Sequence, residues 1–444
     1  MLATFGTLTV ITTWLVLIWI SRLPRVFFDF QYTSYAVYAA FTATLSYYAI
    51  RVLNRRHPLP FVSDAWLWAF VAVVMAAGAR GLSQIDSIPP WLLSDGADDL
   101  SVPWIYARSV LFPSVLVPFL TMLIAAAIAD RQRVSTIVVP ITAFIWTFAI
   151  LTVTTVVTSP QSMSEMAQAT ERSAHLTDLG FHSNELGGLM AVGYGLALGI
   201  QRVPKAGALG WIVRLTPFAA TIALLLTFSR GAYAAFAVVN AVFFLRMSTA
   251  QKFVLIAAVA GAFFVVPAAL VERISFGVDT GDANVISAGR IDSLWIPLLP
   301  DIAANLFVGQ GLQSIMWTDA QLQQLIFAAS LAHNAYLDLL LDFGLLGAAA
   351  VMGWYIHVWR RFFIQSGQDP DPQYRALFYG GHLATIAMLV CGLTNDRFTP
   401  TASNCLLWIG AGVVIGRQIH LRRAVSPLKA SYVRLPSKPL VSQR

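Results

Sequence analysis

The sequence predicts an all-α polytopic membrane protein with about 12 transmembrane helices, and three observations support this fold class. Hydrophobic residue types make up 57% of the 444 residues and charged types only 11%, whereas soluble domains carry about 25% charged residues. The apolar residues come in runs of about 20, the length that an α-helix needs to cross a bilayer. These runs lack the short alternation of an outer-membrane barrel. A soluble enzyme, a disordered chain and a nucleic-acid-binding domain are therefore excluded.

The apolar runs are predicted, in chain order, as membrane-spanning helices. Their expected bounds are 4–21, 33–52, 64–79, 108–129, 134–158, 184–201, 207–228, 231–246, 252–271, 334–359, 375–393 and 402–418. No basic residues precede the first run, which favours an uncleaved helix over a signal peptide. Residues 1–420 are expected to form one transmembrane domain. Residues 421–444 are expected to be a basic cytoplasmic tail, disordered at the inner leaflet.

The basic residues predict the orientation of the helices. If the N-terminus is cytoplasmic, about two thirds of the Lys and Arg residues fall in cytoplasmic connections or in the tail, as the positive-inside rule requires. Most acidic residues fall on the other side. Both termini are therefore expected in the cytoplasm.

Three long segments are expected on the outer side, at about 80–107, 159–183 and 272–333. The last is too long for a plain connection in a compact membrane protein. Its stretches 291–306 and 321–331 are apolar at helical spacing. They are predicted as two short helices lying at the membrane surface.

His333 lies at the predicted outer end of the tenth span, directly before Asn334. A histidine in such a position can be neutral near pH 7 and can accept a proton from a hydroxyl group. It can equally do no more than cap the helix, and both interpretations stay open. The acidic pair Asp338 and Asp342 and the Gly-Leu-Leu-Gly sequence at 344–347 favour a functional role.

Two arginines are candidate anion-binding residues. Arg230 lies in Phe-Ser-Arg-Gly at 228–231, and Arg290 ends Ser-Ala-Gly-Arg at 287–290. Arginine at membrane depth is costly unless paired, so it tends to mark an anion site. Its planar guanidinium suits phosphate oxygens. Contact with lipid headgroups or a structural ion pair is the alternative for each.

Weaker candidates are found in other outer segments. Asp396 can orient a histidine or be a solvated carboxylate, and Arg80 and Arg397 are outer-face arginines. Gly-Gln-Gly at 309–311 resembles a phosphate loop only superficially. It follows no strand and lacks the Lys-Ser/Thr ending, so it is not interpreted as a phosphate-binding site. No metal site is predicted. The crowded carboxylates Asp95, Asp98 and Asp99 lie far in sequence from the histidine and the arginines. The two cysteines, Cys391 and Cys405, do not have zinc-site spacing.

The order of these elements resembles the O-antigen ligase/polymerase superfamily of bacterial inner membranes. The similarity extends over about 184–347. It rests on Asn184-Glu185, Phe-Ser-Arg-Gly at 228–231, Gly-Arg at 289–290 followed by Trp295, Gly-Gln-Gly at 309–311, and His-Asn at 333–334 before Gly-Leu-Leu-Gly.

The resemblance implies a C-type glycosyltransferase without metal or other cofactor, with its active site facing the periplasm. The expected donor is glycan on undecaprenyl pyrophosphate, and the expected acceptor of an O-antigen ligase is a sugar hydroxyl of lipid A–core. Membrane lipids are expected partners and nucleic acid is not. The essential histidine of the family corresponds to His333, and its essential arginines correspond to Arg230 and Arg290. The expected supporting residues are Asn334, Asp396, Arg80 and Trp295.

The chemistry of these residues fits such a transfer. Two arginines can neutralise a departing pyrophosphate without a metal. His333 can take the proton of the attacking hydroxyl, and a single displacement inverts the anomeric centre. The apolar helix after Arg290 can guide the polyprenyl chain, with Trp295 at the interface.

Three alternatives stay open. An O-antigen polymerase uses the same chemistry with a lipid-linked acceptor, and a protein O-oligosaccharyltransferase uses a protein hydroxyl. A transporter of lipid-linked oligosaccharide also has about twelve spans. Transporters usually carry inverted repeats and charged residues near the bilayer midplane. Here the polar candidates lie at outer helix ends, which favours an enzyme.

Overall fold

The computed structural model of the chain describes residues 64–89, 103–129, 133–167, 181–203, 207–250, 267–277, 280–326, 331–394 and 397–432, with a few isolated positions between them. Within these ranges the protein forms helices and no β-strand. The predicted spans 4–21 and 33–52 and most of 252–271 lie outside the described residues. The total of twelve spans therefore stays a prediction.

The longer helices follow the predicted apolar runs closely. They are α1 (Ala65–Leu82), α2 (Phe112–Ile128), α3 (Ser135–Thr158), α4 (Ser183–Ile200), α5 (Gly207–Leu226), α6 (Arg230–Leu245), α7 (Ala268–Ser275), α8 (Ile296–Ala304), α9 (Ala335–Gln368), α10 (Pro372–Cys391) and α11 (Cys405–Tyr432). The shorter helical segments are Ile85–Ser87, Pro103–Tyr106, Met163–Ala167, Ala283–Ile286, Ser314–Trp317, Asp319–Leu322 and Ala402–Asn404, with π-helical turns at Ala107–Leu111 and Ile291–Trp295.

Several of these helices suit a bilayer. Among the described residues, α1, α3, α5 and α9 are long and apolar enough to cross a membrane, and α2 and α6 are shorter apolar helices. The outward face of α5 carries Trp211, Leu215 and Phe218, which are 64%, 47% and 64% exposed. These residues recur at helical spacing and form one apolar stripe. Such a stripe is suited to lipid, and the protein is a helical membrane protein.

Helix α4 lies at the centre of the bundle. All of its residues except Glu185 are buried, and it packs against α5, α6 and α10. A side chain at Gly195 or Gly199 would overlap the backbone of α10 near Ala384 and Gly380. Small residues let helix backbones approach in this way.

The helices share two ends. The end at which α4, α6 and α9 begin and α10 finishes is called the loop end, because the segment 267–334 packs there. Arg273 Nε donates to the Phe228 carbonyl before α6, and Gln310 N donates to Leu341 in α9. The other end is called the opposite end. The three main candidates follow from this arrangement: Arg230 begins α6, His333 directly precedes the start of α9, and Arg290 lies on the segment joining these helices.

Helix α9 is broken at Gly344, whose φ of 63° and ψ of −173° are not helical. The backbone groups freed by the break pair with the loop at 306–311. Leu341 and Asp342 accept hydrogen bonds from Gln310 and Gly311, and Leu345 donates to Leu306. This pairing satisfies polar backbone groups that a membrane helix cannot leave open. Gly-Gln-Gly is therefore a docking loop for α9, consistent with the rejection of a phosphate loop.

Two expectations about the ends of elements differ from the structure. The first surface helix is present as the π-helical turn followed by α8. The prediction of a second surface helix over 321–331 is wrong. Helix Asp319–Leu322 ends because Gln324 has a left-handed φ of 54° and Leu325 N donates to the Ala320 carbonyl. Helix α11 continues to Tyr432, so the expected helix end at 418 and disorder from about 420 are wrong for its last turns.

Candidate active site

His333 is held in a tightly fixed turn at the start of α9. Its φ is +51°, a left-handed conformation that non-glycine residues rarely take. The backbone is fixed on both sides: Ala332 N donates to Asp338 Oδ1 at 3.0 Å, and Ala335 N donates to Gly392 O at 2.8 Å. Such strain persists only where surrounding contacts over-determine it, and it clusters at functional sites.

His333 is not the cap of α9. The side-chain oxygen of Asn334 accepts hydrogen bonds from the backbone N–H of Tyr336 and Leu337, at 3.1 and 3.3 Å. The helix end is therefore satisfied by Asn334, and the capping alternative for His333 is wrong. Both side chains are half-buried. Because the Asn334 side-chain oxygen serves the cap, any supporting contact of Asn334 with a substrate would use its amide nitrogen.

Arg230 begins α6 two residues after a second left-handed residue, Phe228. Phe228 is fully buried with φ of +52°, and its carbonyl accepts from Arg273 Nε at 3.2 Å. Ser229 caps α6 through its hydroxyl. Arg230 Nη1 donates to Phe276 O at 3.0 Å, and its guanidinium lies 5.6 Å from the Phe276 ring. Arg230 is half-buried, so part of the guanidinium remains open to a ligand.

Arg290 follows the third strained turn. Ala288 and Gly289 both have positive φ, 59° and 80°. Arg290 Nη1 donates to Thr394 O at a long 3.4 Å. The π-helical turn after it brings Trp295 to the histidine loop, where the indole N–H donates to Ala332 O at 2.9 Å. Trp295 therefore fixes the chain next to His333 in addition to any contact with the membrane interface.

The turn after α10 joins these three groups. Gly392 accepts from Ala335 beside His333, and Thr394 accepts from Arg290. Gly231 packs so closely on Thr394 that a Cβ there would overlap its hydroxyl. One short turn thus contacts the neighbours of all three candidate residues. His333, Arg230 and Arg290, which are distant in sequence, are brought to one place at the loop end.

The structure adds residues that sequence reasoning missed. The His182 ring lies 6.2 Å from the His333 ring, and His182 Nδ1 accepts from Asn184 N at 3.2 Å. Asn184 also accepts from the Ser229 hydroxyl at 2.9 Å. Because Nδ1 is an acceptor here, a neutral His182 carries its proton on Nε2. The position of His182 directly before an apolar helix was the available signal.

Arg273 is the second missed residue. It is 3% exposed, and its guanidinium lies 6.0 Å from the same Phe276 ring that Arg230 contacts. Nothing in the local sequence distinguishes it from an ordinary loop arginine. Its hydrogen bond to Phe228 O holds the turn that presents Arg230. Its positive charge also adds to that of Arg230 at this end of the helices.

One expected supporting residue, Arg80, has its hydrogen-bond partner away from the site. Arg80 Nη2 donates to Asn305 Oδ1 at 3.2 Å, beyond the last turn of α8. Arg290 lies just before the N-terminal end of the helical segment formed by the π-helical turn and α8. At a rise of 1.5 Å per residue, that end is about 20 Å from Asn305. Asp396 lies outside the described residues. Asp338 and Asp342 have structural partners, since Asp342 Oδ1 accepts from the backbone and hydroxyl of Ser314.

The arrangement can hold an anion and accept a proton. It offers guanidinium groups at the start of α6 and before α8 and imidazoles at the starts of α4 and α9. Across the described ranges no group of three His, Cys, Asp or Glu side chains is placed to hold a metal ion. The charged groups suited to a phosphate here are therefore the arginines.

One comparison with known proteins finds a match over part of the chain. The family model described as O-antigen ligase matches residues 215–352, a segment that contains Arg230, Arg290 and His333. No curated protein matches the chain. Members of this family are glycosyltransferase-like ligases and polymerases that act on lipid-linked glycans. Residues 215–352 are about a third of the chain, and this match supports membership of the O-antigen ligase superfamily.

Proposed function

We propose that this protein is an O-antigen ligase of the bacterial inner membrane. It transfers O-antigen polysaccharide from undecaprenyl pyrophosphate to a sugar hydroxyl of lipid A–core, without a metal and with inversion at the anomeric carbon. The observation that carries the proposal is the convergence of His333, Arg230 and Arg290, each of which lies at a positive-φ residue or within two residues after one. The loop end faces the periplasm in this proposal, as the distribution of basic residues predicts.

In the proposed reaction, His333 takes the proton from the acceptor hydroxyl as its oxygen attacks the anomeric carbon. The new carbon–oxygen bond forms while the bond from that carbon to the pyrophosphate oxygen breaks. The electron pair of the broken bond stays on the pyrophosphate. Arg230 and Arg290 stabilise the charge that develops there through charge-assisted hydrogen bonds. General-base assistance of this kind typically contributes about 10²–10⁴ in rate.

The half-exposed segment around α8 suits the polyprenyl chain of the donor. Leu294, Leu298 and Ile302 are buried against the bundle, whereas Ile296 and Leu299 are 52% and 51% exposed. This apolar outer face follows directly after Arg290. A lipid tail along α8 would therefore leave from the pyrophosphate held at Arg290.

The test is transfer by the purified protein, with lipid-linked glycan and lipid A–core, comparing His333→Ala with Asn334→Ala. We expect His333→Ala to lose at least 10²-fold in turnover while donor binding and melting temperature stay close to wild type. Asn334→Ala removes the helix cap and should lower stability by about 1 kcal/mol. Unchanged turnover in a folded His333→Ala protein would remove the mechanism.

The acceptor distinguishes the ligase from its relatives. A polymerase would extend lipid-linked glycan and ignore lipid A–core, and a protein O-oligosaccharyltransferase would use a protein hydroxyl. Supplying each acceptor separately identifies the activity. Transfer in detergent, where no compartments exist, would exclude a pure transporter.

A further inference from the structure

A second polar cluster lies at the opposite end of the helices, away from His333. Arg202 follows the end of α4, and Arg246 follows the end of α6. Both reach Tyr379, which lies in the first half of α10. Together with His382 and Trp359 they form what is called the Tyr379 cluster. None of its members belongs to the proposed reaction.

The two guanidinium groups contact the same aromatic ring. The Cζ atoms of Arg202 and Arg246 lie 5.3 and 5.2 Å from the Tyr379 ring centroid. Each also covers a second ring, Phe243 for Arg202 at 5.2 Å and Phe363 for Arg246 at 5.3 Å. In the part of the chain that the structure describes, neither arginine forms an ion pair with a carboxylate.

The positions of the arginines at helix ends explain only part of this arrangement. A cation at a helix C-terminus interacts favourably with the helix dipole, which accounts for each arginine singly. It does not account for two like charges held against one ring, where they repel each other. An anion bound to both would relieve that repulsion through charge-assisted hydrogen bonds.

Buried polar atoms in the cluster point to the same ligand. Tyr379 is 5% and His382 4% exposed. The Tyr379 hydroxyl, His382 Nδ1 and the Trp359 indole N–H are buried without a hydrogen-bond partner. The His382 ring lies 5.3 Å from Trp359 and 6.3 Å from Tyr379. Buried polar groups are nearly always paired, so hydroxyl and indole donors without partners here fit a ligand that accepts hydrogen bonds.

The surroundings of the cluster indicate where the anion comes from. Leu245 is 75% exposed next to Arg246, and Phe363 and Ile364 are 47% and 41% exposed. A soluble phosphate would leave this apolar rim uncovered. The acyl chains of a lipid would cover it while the phosphate lies between the arginines.

We propose that the Tyr379 cluster binds the phosphate of an anionic phospholipid, in the leaflet opposite the one that His333 faces. The two guanidinium groups and the Tyr379 hydroxyl donate to the phosphate oxygens, and the acyl chains lie along Leu245 and Phe363. Basic pockets between membrane helices bind lipid headgroups in this way. The site is separate from glycan transfer and does not depend on the proposed function.

The test uses the full-length protein in detergent with short-chain phosphatidylglycerol as the probe. Short-chain phosphatidylcholine and inorganic phosphate are titrated alongside, and affinity and melting temperature are measured. We expect saturable stabilisation by phosphatidylglycerol. In the Arg202→Gln/Arg246→Gln double variant its affinity should fall about tenfold or more. Arg214→Gln is the matched control, because Arg214 is also exposed and covers a ring, Trp211 at 5.5 Å.

Tyr379→Phe keeps the ring that both arginines cover and removes only the hydroxyl. We expect it to melt at or above the wild-type temperature without lipid and to bind phosphatidylglycerol more weakly. Wild-type affinity in the double variant, or equal binding of phosphatidylcholine, would overturn the proposal. If inorganic phosphate binds as tightly as phosphatidylglycerol, the proposal that the bound anion belongs to a lipid would be wrong.

Discussion

Each proposed active-site residue lies at a left-handed backbone position or within two residues after one. His333 is itself left-handed, and Arg230 and Arg290 follow left-handed Phe228 and Ala288. Two of these turns are held by contacts from other segments: Asp338 and Gly392 hold the histidine, and Arg273 holds Phe228. Strain of about 1–3 kcal/mol at each such residue must be balanced by these contacts.

The arginines are expected to depend on their fork shape as well as their charge. Lysine keeps the charge but cannot present two parallel N–H groups to a phosphate. Arg230→Lys and Arg290→Lys should each lose at least tenfold in transfer, with normal membrane insertion. The measurement is turnover with purified protein, and Arg214→Lys, at an exposed arginine of α5, is the control. Near-wild-type turnover in both variants would indicate that these arginines only contact lipid headgroups and do not bind the pyrophosphate.

His182 allows its capping role and its imidazole to be tested separately. Asparagine can replace the cap by accepting from Asn184 N, whereas alanine cannot. We expect His182→Ala to lose about 1 kcal/mol of stability and His182→Asn to lose little. If the imidazole beside His333 contacts the acceptor hydroxyl, both variants should lose about tenfold or more in transfer. Full activity of a stable His182→Asn protein would leave His182 only a cap.

At the scale of elements, the break in α9 determines where the loop end is built. The break at Gly344 lets the 306–311 loop pair with α9, and that loop follows α8 directly. Tyr106 and Leu312 extend the same contact to the chain before α2 through a 2.6 Å hydrogen bond. The segment between Arg290 and His333 is thus bound to the bundle near its middle and at its end.

Gly344→Ala tests this element. A side chain at Gly344 would overlap the backbone of Phe307 and Val308, and the φ of +63° with extended ψ is nearly exclusive to glycine. We expect a loss of about 2 kcal/mol or more in stability, together with loss of transfer. Gly367→Ala is the control, because it lies in the same helix and its Cβ would meet nothing within 4 Å. A Gly344→Ala protein as stable as the control would show that the docked loop is not required.

At the scale of the whole molecule, ion pairs of two buried aspartates connect helices at the opposite end. Asp64, at the start of α1, lies 3.0 Å from Arg361 and 3.5 Å from His357 in α9. Asp369 lies 2.9 Å from Arg417 in α11. Burial alone would raise the pKa of Asp64, but the interactions with the nearby His357 and Arg361 side chains hold that pKa below its ordinary value. The acidic groups therefore join helices that are distant in sequence.

Acidic pH should weaken the ion pairs of Asp64. Because the pKa of Asp64 is lower in the folded protein, its contribution to stability is fully present above the ordinary value of 3.8 and is lost as pH falls through the folded pKa. Asp64→Asn keeps the helix cap but leaves Arg361 without a carboxylate, and it should cost about 1–3 kcal/mol near pH 7. Melting temperatures of both proteins between pH 3 and 7 test this. The wild-type advantage should shrink towards pH 3, and an advantage that grows there would contradict the assignment.

The sequence by itself determined the properties that depend on composition and local order. Runs of apolar residues set the helices, because a bilayer requires about 20 such residues in a row. The order of His333, Arg230, Arg290 and their neighbouring motifs was enough to indicate the family, and the match over 215–352 supports it. The first surface helix also followed from local spacing alone.

Only the tertiary structure decided how these residues meet. His182 and Arg273 carry no distinctive motif, and their proximity to His333 and Phe228 arises from the packing of helices far apart in the chain. The helix end after Leu322 and the break at Gly344 depend on single left-handed residues, which apolar periodicity does not reveal. Arg80 looked equivalent to the other arginines, yet the length of α8 separates it from them, because distance along a rigid helix is a property of the fold.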